Sequence, residues 1–267
     1  MAGMSRSVLV TGASAGIGLA CADDLHAAGW KVTGASRRGT APGTWTGLVM
    51  DVDADESVGS GVAGLLEMGG GLAALVAAAG WGLAGAVEDC PITEAKAQFE
   101  TNFWGCVRVV RRVLPAMRAQ GGGRIVLISS IGGLIGLPFQ AFYSASKYAL
   151  EGFAEALAYE VEPFGIYVTL VEPGNVRTDF TASRKTIRVD GSPYQAASAK
   201  AVGVMARDEE NGVPATEVAR AVRRVLDSGR PPRRTSVGKA GERAGLVARR
   251  LLPFRAFEAA ARGSLGV

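Results

Sequence analysis

An apolar run, Ser7–Thr11, passes directly into Gly12-Ala13-Ser14-Ala15-Gly16-Ile17-Gly18, and a helical pattern then continues to Ala28 before Gly29 stops it. A strand that feeds a helix through a glycine-rich turn can open only a few architectures, and a βαβ unit is the leading one. The three glycines have separate tasks. One permits the tight turn, one lets the backbone approach a pyrophosphate, and one lets helix pack on strand. The helix N-terminus adds free N–H groups and a partial positive charge. Glycines also punctuate ordinary loops, so the flanking strand and helix are what tie this turn, with Ser14 and Ile17 inside it, to dinucleotide binding.

The rest of the chain repeats the alternation. Strand-like runs occupy 31–36, 48–51, 72–78, 124–129, 166–171 and 235–237, and helical patterns occupy 54–68, 93–119, 141–162, 216–228 and 241–263. Asp53 with Glu56 reads as an N-cap pair for the helix at 54–68. Strands alternating with helices of this length predict an α/β fold: a single-domain, Rossmann-type, doubly wound parallel sheet of about seven strands over residues 1–267. Residues 175–213 have mixed polarity and no clear period; their place after the sixth strand predicts a mobile substrate lid.

Composition narrows the function classes. Cys21, Cys90 and Cys106 form no Cys-x-x-Cys pair, which points to a reduced, cytoplasmic setting. The N-terminus runs straight into a strand with no signal-peptide pattern. Residues 68–87 carry no charge, but their six glycines argue for a buried strand and loops rather than a membrane span. The net charge is +4, and arginines collect late, in a basic and apolar tail at 231–267. No nucleic-acid motif accompanies them, so a solvated basic face is the default. Peripheral contact with an anionic membrane is the alternative, because Leu251, Leu252, Phe254 and Phe257 follow directly. His26 is the only histidine, which leaves a Ser-His-Asp hydrolase without a base, and no cluster has metal-ligand spacing.

Two further features carry chemistry. Tyr143 and Lys147 stand four apart and share one face if 141–162 is a helix. A cation one turn away favours the phenolate and eases proton exchange, although such pairs also arise by chance on solvated helices. The second strand ends Ser36-Arg37-Arg38 with no acidic residue. Two guanidiniums there suit a 2′-phosphate, and so NADP(H) over NAD(H); two arginines on a surface loop is the plainer reading.

With these motifs the sequence resembles the short-chain dehydrogenase/reductase family over about residues 5–230. The turn Thr11-Gly12-x-x-x-Gly16-x-Gly18 is similar to its cofactor turn. Ser130, Tyr143 and Lys147 match its Ser and Tyr-x-x-x-Lys, and Asn102 matches the asparagine of its long helix. Asp51-Val52 resembles the adenine-contact pair, and Pro173, Gly174, Val176 and Thr178 the segment that holds the nicotinamide. The run 129–139 and the run 147–153 resemble the branch containing 17β-hydroxysteroid and retinol dehydrogenases. One departure is Ala77-Ala78-Ala79-Gly80 where the family usually has Asn-Asn-Ala-Gly, so polar groups served by the first asparagine need other partners.

The resemblance implies roles. Ser130 would polarise a substrate carbonyl, Tyr143 would exchange a proton, and Lys147 would lower the tyrosine's pKa and bind nicotinamide ribose. Asn102 would hold a water linking Lys147 to solvent. The implied protein is an NADP(H)-dependent oxidoreductase interconverting a ketone or aldehyde and an alcohol on a lipophilic small molecule, as a homodimer or homotetramer. The alternative is a non-catalytic NADP-binding regulator on the same fold. Leu134, Phe139 and Phe180, near the catalytic segments, are the candidate substrate contacts.

Overall fold

The computed structural model describes residues 6–265. Seven strands form one parallel sheet: β1 (Ser7–Thr11), β2 (Lys31–Ser36), β3 (Thr46–Val49), β4 (Ala74–Ala77), β5 (Gly123–Ile128), β6 (Ile166–Pro173) and β7 (Arg234–Val237). Their spatial order is 7-6-5-4-1-2-3. Every residue of β1, β4 and β5 is buried, which is why these strands read as unbroken apolar runs rather than alternating ones.

The helices are α1 (Gly16–Ala27), α2 (Asp55–Glu67), α3 (Ile92–Phe99), α4 (Cys106–Ala119), α5 (Ala141–Val161), α6 (Phe180–Ser183), α7 (Gln195–Glu210), α8 (Ala215–Asp227), α9 (Ala240–Leu251) and α10 (Phe254–Leu265). Two cores result, one on each face of the sheet. Val58 and Val62 of α2, Val109, Val113 and Met117 of α4 and Leu150 and Leu157 of α5 bury against one face. Cys21 and Leu25 of α1 and Val218, Val222 and Leu226 of α8 bury against the other. The strand order reverses between β1 and β4, so the loops leaving these two strands diverge and open a crevice at the carboxyl edge.

Several expectations change in detail. The helix expected over 93–119 is interrupted by a π-helical stretch, Glu100–Gly105, and Asn102 lies within it. Such bulges occur mostly as single turns inside α-helices, often at functional sites. Ala54, not Asp53, is the N-cap of α2 and makes no side-chain cap bond; Asp53 instead accepts a hydrogen bond from Thr101. The aperiodic 175–213 stretch contains a full helix, α7. It buries Ser198, Ala201 and Met205, and a stripe with so many small residues gives little hydropathy contrast. The tail forms two helices rather than one, broken at Pro253.

Candidate active site

The crevice is a cavity of about 830 Å³ that runs from the α1 turn to α7. At one end the glycine turn makes its wall. Gly12 and Gly16 take the left-handed conformation (φ 68° and 54°), which glycine adopts without strain. A Cβ on Gly12 would stand 2.9 Å from the Ala79 backbone, and one on Gly18 only 2.3 Å from the Gly12 carbonyl oxygen. Gly16 has nothing nearer than Thr178, at 3.7 Å, so its face of the turn is left open. Ser14, Ile17, Ser36, Arg37, Asp51, Val52, Gly80, Pro173, Gly174, Val176 and Thr178 line the same cavity. Arg38 does not.

The Ala77-Ala78 departure has a structural answer. The Thr11 hydroxyl accepts hydrogen bonds from the amides of Ala78 (3.1 Å) and Ala79 (3.2 Å), tying β1 to the loop after β4 without an asparagine.

At the other end α5 presents Tyr143 and Lys147 on one face, both buried and both lining the cavity. The Lys147 ammonium donates to the Ile128 carbonyl at the end of β5 (2.9 Å), which leaves two of its three donors for a ligand. Burial pulls its pKa down to about 8, against the raising influence of Cys106 and Glu151. Ser130 follows the same strand. Its hydroxyl oxygen accepts from the Gly132 amide (3.0 Å), fixing its direction at the start of a short 3-10 turn, Ile131–Gly133.

The Tyr143 phenol is raised above its ordinary pKa. Burial is the main cause, the neighbouring Ser130 hydroxyl opposes it, the Glu209 charge adds to it and the Arg184 charge opposes it. The Lys147 ammonium sits 5.9 Å from the ring centroid and donates to the Ile128 carbonyl. The group is therefore a neutral phenol at neutral pH, a proton donor.

Asn102 lies behind the wall rather than in it. Its side-chain oxygen accepts from the Trp81 amide (3.0 Å), and its NH2 donates to the Trp81 carbonyl (3.1 Å) and the Ser146 hydroxyl (3.2 Å). The side chain is thus engaged with the loop after β4 and with α5. Only Gly80 separates the two: a Cβ there would lie 3.1 Å from the Asn102 oxygen and 3.8 Å from the Lys147 nitrogen.

Of the expected substrate contacts, Phe180 lines the cavity and meets the Tyr143 ring edge-on, with centroids 5.9 Å apart. Leu134 and Phe139 do not line it. The loop is turned by a bond from the Leu137 amide to the Ser144 hydroxyl (3.1 Å), so Leu137 and Gln140 take those places. Phe139 serves through its backbone, accepting from the Gly85 amide (2.8 Å). Trp81, Met205 and Glu209 complete this end. Sequence reasoning passed over all three. The aromatic directly after Gly80 was the one local signal, while Met205 and Glu209 arrive on α7.

The segment after β6 is tied together by charge. The Glu209 carboxylate accepts from Arg184 and from the Thr181 hydroxyl, and the Arg184 and Glu209 side chains are 2% and 14% exposed.

The cavity fits a dinucleotide on two counts. The glycine cradle leaves room where a Cβ would intrude, and the Ser36 hydroxyl is buried at the end of β2 with no described partner.

Comparison with known proteins agrees. The short chain dehydrogenase family model matches residues 6–188. A 3-ketodihydrosphingosine reductase of Bacteroides thetaiotaomicron is 39% identical over 234 residues, covering 86% of this chain and 87% of its own. Human retinol dehydrogenase 8 is 41% identical over 195 residues, 67% of this chain and 62% of its own. The crystal structure of a short-chain dehydrogenase from Streptomyces avermitilis superposes with a TM-score of 0.83 at 33% identity, covering 97% of this chain and 98% of that one. The chain belongs to the short-chain dehydrogenase/reductase family and is an oxidoreductase of the nicotinamide-dependent kind.

Proposed function

We propose that this protein is an NADP(H)-dependent carbonyl reductase or secondary-alcohol dehydrogenase for a lipophilic small molecule. The observation that carries the reading is the buried cluster of Ser130, Tyr143 and Lys147 at one end of a cavity whose other end is a glycine cradle. A bound nicotinamide would supply or take up the hydride. Gly12, Ser14, Gly16, Ile17, Gly18, Ser36, Arg37, Asp51, Val52, Gly80, Pro173, Gly174, Val176 and Thr178 would hold the cofactor.

The protein's own part is protonic and positional. Tyr143, kept neutral by burial, donates its phenolic proton to the substrate oxygen in reduction and receives one in oxidation. Ser130, beside Tyr143 on the cavity wall, shares that oxygen and keeps it within reach. Lys147 offers its two remaining donors to the cofactor ribose and a positive charge to any phenolate that forms. Asn102 acts as a positioning residue by fixing Trp81. NADP(H) is favoured because Arg37 lines the cleft and β2 ends without an acid. Phe180, Leu137, Met205 and Trp81 favour a lipophilic substrate, and the relatives named for 3-ketodihydrosphingosine and retinol fit that class. The three cysteines are free thiols, which supports a reducing, cytoplasmic setting. Half-exposed Trp104 and largely exposed Tyr159, near α4 and on α5, support pairing of these helices in a homo-oligomer.

The test is Tyr143→Phe assayed on a panel of lipophilic ketones with NADPH. Turnover falls about 10³-fold, and NADPH binding, followed by fluorescence titration, stays in place. Turnover equal to the unchanged protein would remove Tyr143 from the mechanism.

A further inference from the structure

The helix α9 turns its apolar side outward. Ala240, Ala244, Val247 and Leu251 recur at i, i+4, i+7 and i+11, which places them on one face, and all four are exposed. Val247 is 56% and Leu251 77% exposed, and the strip continues into Leu252 and Phe254 at 44% and 60%. A surface helix normally directs that stripe to the core; here no residue of α9 is buried. Scattered apolar residues need no explanation, but a contiguous row does.

A second observation lies beside the first. A cleft of about 250 Å³ opens between α8, β7 and α9. Its walls carry Arg220 and Arg224, one turn apart on α8, Arg243 from α9, the Thr235 and Ser236 residues, and a single acid, Glu217. None of the three guanidiniums takes part in a described salt bridge. Arg243 belongs to both features: it lines the cleft and, with exposed Arg250, flanks the apolar stripe. The Ser236 hydroxyl donates to Glu172 (2.7 Å), so the three guanidiniums and Thr235 are the groups that suit a phosphate here.

We infer that α9 docks on an anionic membrane surface, with a lipid headgroup phosphate held by Arg220, Arg224 and Arg243. Val247, Leu251, Leu252 and Phe254 then sit at the boundary between headgroups and acyl chains. Apolar burial and charge attraction are the two terms that hold such interfacial helices. Both are present here, and Arg243 of α9 joins them. Among the described residues no helix is long and apolar enough to cross a membrane, so the contact is peripheral. A second copy of this chain fits the face less well, because a two-fold contact would set the arginines against their own image.

The docked helix is also tied to the catalytic cavity. On its first turn the Glu242 carboxylate accepts from the Asn175 amide (2.9 Å) and the Lys239 amide (2.7 Å). Asn175 lines the cavity. A Cβ on Gly174 would meet that carboxylate at 2.4 Å, so the tail is packed directly on the segment after β6.

Flotation of the full chain with vesicles tests the inference. Vesicles of phosphatidylcholine alone are compared with vesicles containing phosphatidylglycerol, and NADPH binding serves as the control for folding. The protein floats with the anionic vesicles only. Each arginine brought to such a surface is worth about fivefold in partitioning, so Arg220→Gln with Arg243→Gln lowers it about 30-fold. Leu251→Ser with Phe254→Ser lowers it as well, leaving NADPH binding unchanged. No flotation of the intact chain, or equal flotation with neutral vesicles, overturns the inference. It is also overturned if the apolar variant floats normally while millimolar inorganic phosphate abolishes the arginine-dependent part, which marks a free-anion site. A smaller sedimenting species for the apolar variant with unchanged flotation assigns the face to a subunit contact and overturns it too.

Discussion

The two ends of the catalytic cavity are built by opposite means. At the cofactor end the decisive atoms are backbone, and the decisive side chains are the missing ones. Gly12, Gly16 and Gly18 lie within seven residues of each other, and their geometry follows from a strand turning into a helix. At the substrate end the wall is side chains from distant segments: Trp81, Leu137, Phe180, Met205 and Glu209. It holds its shape through one buried ion pair, Arg184 with Glu209. The first end is specified locally and tolerates little; the second is specified by tertiary packing and can be opened without dismantling the sheet.

Gly18→Ala should produce the largest effect. The added methyl would lie 2.3 Å from the Gly12 carbonyl oxygen, and backbone on both sides cannot retreat without moving α1 off β1. NADPH binding is expected to be lost and stability to fall by about 3 kcal/mol, the upper range for overpacking, read as a lower melting temperature. A variant that binds NADPH normally would show that the turn is more plastic than its contacts indicate.

Glu209→Gln probes the other end. It leaves the Arg184 guanidinium, 2% exposed, without its countercharge. Breaking a buried pair costs about 3 kcal/mol or more, and the expected effect is local opening of the segment after β6 rather than unfolding of the sheet. Hydrogen exchange should accelerate about 100-fold across 180–210 and stay unchanged in β1, β4 and β5. KM for the ketone should rise while NADPH affinity holds. The double change Arg184→Met, Glu209→Leu should restore protection, since apolar replacement of a buried pair is often neutral. Uniform acceleration through the sheet would mean that the two ends are one cooperative unit and would dissolve the comparison.

The same contrast explains what could be read from the chain alone. The turn at Gly12–Gly18, the parallel sheet and the Tyr143–Lys147 face are short-range patterns, and each is where the spacing puts it. Helix α7 escaped because Ala, Ser and Gly blunt its period, and with it went Met205 and Glu209. The choice of Leu137 over Leu134 and Phe139 depends on the Ser144 bond that turns the loop, which hydropathy does not encode. Asn102 was visible as a residue, but its engagement with Trp81 depends on a π-helical stretch and a loop 21 positions away. The tail's apolar residues were visible too; that they face outward was not.

Arg37 is the exception within the cofactor end, and it gives the smallest and sharpest effect. There the cavity is read by a side chain rather than by backbone, at the end of β2 where no carboxylate stands. Arg37 is exposed, so its contact with a 2′-phosphate would be charge-assisted but partly screened, worth about tenfold in affinity. Arg37→Asp is expected to weaken NADPH about tenfold while leaving NADH binding nearly level, which reverses or erases the selectivity. Arg38 is its neighbour in sequence but lies outside the cavity wall, so Arg38→Ala should leave the NADPH-to-NADH ratio as it was. Parallel titrations of both variants with both cofactors, repeated at two salt concentrations, separate a specific contact from general charge: only the Arg37 effect is tied to the 2′-phosphate. If both substitutions lower NADPH affinity alike and the loss vanishes in salt, the basic pair acts as a diffuse field, and the cofactor end is read by backbone throughout.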